Sequence, residues 1–115
     1  ESRNSMEVRK MTLVNTDFVS GKNIETIGIV KGSMIQSKHV GKDIIAGLKN
    51  VVGGELRGYT EMLAESREIA LKRMEKKGKE LDADAIINVR FMTSSIAGGA
   101  AEIMAYGTAV KLKKK

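Results

Sequence analysis

The sequence predicts a two-layer α+β domain, an antiparallel sheet packed by one short and one long helix, and three observations carry that prediction. Between Leu56 and Leu81, apolar side chains recur at helical spacing. The segments on either side lack that period and are rich in β-branched residues. A Gly53-Gly54 pair separates the long helical stretch from a shorter one. A broad apolar helix stripe needs a partner layer, and the flanking segments supply it as strands.

Taken in order, residues 1–10 are polar and read as an extension, native or appended, ahead of one domain over 11–112 and a basic tail at 113–115. Met11 to Thr16 leans towards β structure, and Asp17, Ser20, Gly21, Lys22 and Asn23 make the turn that follows. Glu25 to Ser37 reads as a strand interrupted by Gly28 and Gly32, positions where a bulge, a bend or close backbone approach is expected. Lys42 to Val52 reads as the short helix, with Asp43 near its positive end and Ile44, Ile45, Leu48, Val51 and Val52 on one face.

In the long helix, Leu56, Tyr59, Met62, Leu63, Ser66, Ile69, Ala70, Met74 and Leu81 fall within roughly 140° at ~100° per residue. Glutamates dominate its first half and lysines its second, an order that complements the helix dipole. Ile86 to Ser94 is the next strand, with Ile87, Val89 and Phe91 on one face and Asn88 and Arg90 on the other. Glu102 to Leu112 is the last, and here neither face is polar. Met104, Tyr106, Val110 and Leu112 point one way, and Ile103, Ala105, Gly107 and Ala109 point the other. Helices on one side would leave the second apolar face in water, which predicts contact with another subunit.

Composition closes several chemistries. Without cysteine there is no disulfide, thiolate catalysis or cysteine-held metal cluster. The net charge of +6 is concentrated at one end: Lys111, Lys113, Lys114 and Lys115 account for four of the 20 basic residues, and the other 16 nearly balance 14 acidic ones. Nucleic-acid binding is therefore not expected, because no basic face with stacking aromatics is present. No apolar run approaches the ~20 residues a membrane span requires. The expected location is cytoplasmic.

Gly53-Gly54-Glu55, Tyr59-Thr60, Ser66-Arg67-Glu68-Ile69-Ala70-Leu71-Lys72-Arg73-Met74, Ala83-Asp84-Ala85-Ile86-Ile87-Asn88-Val89-Arg90-Phe91 and Ala105-Tyr106-Gly107-Thr108-Ala109-Val110 together resemble the YbjQ-like family of small bacterial and archaeal proteins. The resemblance covers roughly Met11 to Leu112. It implies a dodecin-like subunit assembled into a ring-shaped homopentamer, and it brings a heavy-metal-binding label. Family members commonly carry Gly-Ala-Asn-Ala where this chain has Asp82-Ala83-Asp84-Ala85.

No catalytic constellation stands out and no cofactor is indicated, so the expected function is a homo-oligomeric protein that binds a small ligand or a metal ion at inter-subunit sites. The alternative is an enzyme with its active site at the subunit interface. Ligand or interface candidates are Arg67 and Arg73, cations beside or within the apolar helix stripe, and Arg90, Thr93, Ser94, Glu102 and Tyr106, polar groups on otherwise apolar strands. A simpler reading makes each structural, with Arg90 pairing Glu102 across strands. His39, the one histidine, and Asp82 and Asp84 are weak metal candidates; no high-affinity site is expected within one subunit.

Overall fold

Residue size decides how closely a helix can approach a sheet, and this chain places its smallest residues where the two layers meet. The computed structural model describes residues 10–36, 57–96 and 100–115, with residues 57–59 as helical backbone only. Its elements are β1 (Thr12–Leu13), β2 (Lys22–Gln36), α1 (Arg57–Glu80), β3 (Ala85–Ile96) and β4 (Ala100–Lys114). The short helix and His39 lie outside the described residues.

The sheet order is β1-β3-β4-β2. The three long strands are antiparallel to their neighbours, as expected, but β1 runs parallel to β3, so the sheet is mixed. That pairing corrects the all-antiparallel expectation. A parallel neighbour needs a long connection, and here the whole chain between Leu13 and Ala85 provides it.

Helix α1 lies over β2 and β4. Ser66, Ala70, Met74 and Gly78 are buried in its contact line, and Ala70 and Met74 pack with Met11, Val30, Ile86, Ile103, Ala105 and Ala109 in the main core. Gly32 sets the separation: a Cβ there would lie 2.6 Å from the Ala70 carbonyl oxygen and as close to the Arg73 carbonyl carbon, so helix and strand touch backbone to backbone. The other strand glycine singled out above, Gly28, sits at the shift in register between Thr26 and Gly28.

Ser66 is the buried polar group of this layer. Its hydroxyl accepts a hydrogen bond from Gln36 Nε2 and donates to the Met62 carbonyl at 2.9 Å, so burial leaves no bonding capacity stranded.

The helix ends in a Schellman arrangement. Asp82 N donates to Lys79 O at 3.0 Å and Ala83 N to Gly78 O at 3.0 Å, with Asp82 left-handed at φ 60°. This chain bend turns Leu81 out of the apolar stripe, where it was expected, and leaves it 47% exposed. Leu71, absent from the expected stripe, packs instead on the core beside Leu13 and Val89.

The alternation expected along β3 breaks at a bulge. Register shifts between Ile87 and Arg90, and Asn88 adopts φ 54°. Ile87 therefore packs with Ala85 and Val110 on the side away from α1, whereas Val89 joins the helix-side core. The N-terminal segment satisfies the bulge: Asn88 N donates to Thr16 O at 2.9 Å and Val89 N to Val14 O at 3.0 Å. The same segment carries Val14 and Val19 onto a second, smaller core with Ile24, Ala85, Ile87, Val110 and Leu112. Among the described residues, one end of the sheet is thus covered on both faces and the other on one.

Candidate functional site

The part of the sheet that no described residue covers is defined by register. Opposite the helix, three rows cross β2, β4 and β3 in turn: Lys31–Tyr106–Arg90, Ser33–Met104–Met92 and Ile35–Glu102–Ser94. Strand pleating puts alternate residues on one face, so these nine side chains form a continuous patch. Ile29, next along β2, is 80% exposed, Ile35 is 59% and Met92 46%, and Tyr106 is also exposed. Exposed apolar side chains grouped on one face among Lys31, Ser33, Arg90, Ser94 and Glu102 mark a candidate contact surface.

Of the residues singled out from sequence, Arg90, Ser94, Glu102 and Tyr106 come together here. Thr93 does not: it pairs with Ile103 and so belongs to the helix side. The expected Arg90–Glu102 pairing is replaced by Arg90 opposite Tyr106 and Ser94 opposite Glu102, because the bulge fixes the register. Arg90 Nη1 donates to the carbonyls of Asn15 at 3.0 Å and Val89 at 3.1 Å, tying β3 to the N-terminal segment.

Arg67 and Arg73 stand on α1, on the other layer, and both are exposed. Arg73 Nη1 donates to Ser33 O at 2.7 Å, closing a main-chain acceptor of β2. That contact explains a cation inside an apolar stripe: its head reaches past the core to the sheet.

Asp82 and Asp84 are engaged with β4. Asp82 Oδ2 accepts from Lys111 Nζ at 3.1 Å, and Asp84 Oδ2 accepts from Leu112 N at 2.9 Å while its own N–H donates to Val110 O. Lys113 pairs with Glu25 at 3.4 Å, so lysines of the basic end lie on the strand with carboxylate partners. Among the described residues, no three of His, Cys, Asp and Glu converge to hold a metal ion. A site of borderline or hard donors therefore does not fit the described part of the chain.

Lys31, Ser33 and Met92 belong to the patch but were missed in the sequence, whereas the alternation of β4 had already put Met104 beside Tyr106. The signal that would have found them is the register of β2 and β3 against β4, and each is set beyond a bulge.

Two apolar hollows flank the sheet at opposite edges. One, of about 270 Å³, is lined by Ile29, Val30, Lys31, Lys77, Glu80 and Leu81 beside β2. The other, of about 300 Å³, is lined by Leu13, Val14, Asn15, Leu71, Val89 and Phe91 beside β1 and β3. Among the described residues, strand β2 has no partner on its outer edge, and β1 with the segment that follows it covers β3 as far as Val89. No helix among the described residues is long and apolar enough to cross a membrane.

Comparison with known proteins places this geometry among relatives. A family model described as "Putative heavy-metal-binding" matches residues 11–113. A UPF0145 protein of Clostridium novyi is 64% identical over 102 residues, covering 89% of this chain and 99% of that protein. One from Methanosarcina acetivorans is 54% identical over 106 residues, covering 91% of this chain and 100% of the relative. The crystal structure of a protein with unknown function from Pediococcus pentosaceus superposes with a TM-score of 0.57 over 90% of this chain and 98% of its own, at 18% identity, and shows a shared fold.

Proposed function

Because this chain belongs to the YbjQ family, we propose that it is a non-catalytic, homo-oligomeric binding protein. Its subunits join head to tail into a ring, and its ligand, a small molecule or a metal ion, is held at or beside the subunit contacts. Five copies and a dodecin-like arrangement are what the family resemblance implies.

The observation that carries the reading is the pair of unlike open edges. Among the described residues, the β2 edge beside Ile29 and Leu81 and the β3 edge from Phe91 onward are open and unlike, each with main-chain groups to pair and apolar area to bury. Exposed edges of this length invite uncontrolled pairing unless something covers them. Joining unlike edges is a heterologous contact, and a heterologous contact with the right rotation closes a ring.

Sedimentation equilibrium at micromolar concentration tests this: a single pentameric species is expected, and a folded monomer would overturn it. A second reading, an enzyme with its site at the subunit interface, draws on Tyr106 set between Lys31 and Arg90. It requires turnover that Tyr106→Phe abolishes without dissociating the assembly.

A further inference from the structure

The geometry points to a soft, monovalent metal site, suited to Cu(I) or Ag(I), formed by the thioethers of Met92 and Met104. These residues are direct partners across β3 and β4 on the face opposite the helix. Directly opposed side chains in an antiparallel pair have Cβ atoms ~4.5–5.5 Å apart, and methionine reaches further through flexible torsions, so both sulfurs can close on one ion.

Their surroundings distinguish them from Met11, Met34 and Met74. Met11 and Met74 are buried in the core, and Met34 lies opposite Ile103 on the helix side, where its sulfur accepts from Gln36 Nε2 at 3.4 Å. Met92 is 46% exposed, and the third member of its row is the small Ser33, so no bulky neighbour in that row covers the pair.

Donor chemistry sets the class of ion. Neutral thioethers favour soft ions such as Cu(I) and bind hard divalent ions poorly. Charge on the face acts in the same direction: Lys31 and Arg90 occupy the adjacent row and Glu102 the row on the other side, an environment that penalises a divalent ion more than a monovalent one. The inference gives the binding reading above its ligand class, yet both donors come from one protomer, so the site and the ring stand or fall separately.

Titrating Ag(I) into the full chain carrying ¹³C-methyl methionine tests it. The Met92 and Met104 methyl signals are expected to move together and saturate at one ion per protomer, while those of Met11, Met34 and Met74 stay in place. Met92→Leu and Met104→Leu preserve side-chain volume; each should weaken binding on the order of tenfold, and the double variant should abolish it, because two soft donors act together. Met34→Leu should leave binding intact. Wild-type affinity in the double variant, or binding that follows His39 or other methionines, would overturn the site. Native mass spectra of the same samples separate the two ideas: a silver-free pentamer removes the metal site and leaves the ring, whereas a silver-loaded monomer does the reverse.

Discussion

The two faces of β4 differ in side-chain size, polarity and burial. Facing the helix are Ile103, Ala105, Gly107 and Ala109, small and buried; facing away, over the uncovered rows, are Glu102, Met104, Tyr106 and Thr108, larger, mixed in polarity and only partly buried. The first face has the composition of a finished contact, with side chains trimmed to the approach of α1. The second has apolar bulk that no described residue covers. The contrast teaches that one strand backbone can serve a closed core and an open surface at once, and that side-chain size records which is which.

The comparison is broken most severely at the closed face. Gly32→Val would drive a branched side chain into the backbone of α1 at Ala70 and Arg73, and the expected loss, about 3 kcal/mol or more, should leave little folded protein in a urea melt. Met74→Ala, which empties a fully buried position, should cost about 2–5 kcal/mol in the same measurement.

Open-face changes should behave differently. Ile29→Lys combined with Ile35→Lys should alter protomer stability by only about 0.5 kcal/mol, since both side chains are exposed, and should nevertheless disperse the assembly on a sizing column with light-scattering detection. Were the double variant to stay assembled, the open face would be a bystander.

An effect of opposite sign, confined to protomer stability, lies at the helix end. Asp82 holds a left-handed conformation that glycine adopts freely, so Asp82→Gly should stabilise the fold by about 1 kcal/mol. Its pairing with Lys111 is solvent-exposed and offers little to lose.

Much of the closed face was legible in the sequence, and most of the open site was not. The 3.6-residue period located the C-terminal end of α1 within a residue, and the alternation of β4 predicted its two faces correctly. Gly28 and Gly32 also declared themselves, one at a shift in register and the other under the helix. Local pattern suffices where local geometry determines the outcome. It failed at Asn88, whose left-handed conformation exists because Thr16 and Val14, more than seventy residues away in the chain, accept its hydrogen bond and that of Val89. The β1–β3 pairing is equally remote.

Those two long-range features fix the register of β3, and with it which residues meet Tyr106 and Met104. Arg90, Ser94, Glu102 and Tyr106 could be picked out as polar groups on apolar strands. Lys31 and Met92 could not, because a lysine or methionine on a strand carries no sign of its neighbour.

The most direct test of the central claim, that the open face and the two free edges exist to be covered by further copies of the chain, is native mass spectrometry of the gently purified protein across a micromolar dilution series. The account predicts one species of five subunits that persists on dilution, with any retained ligand visible as added mass. A folded, bare monomer throughout the series would contradict it.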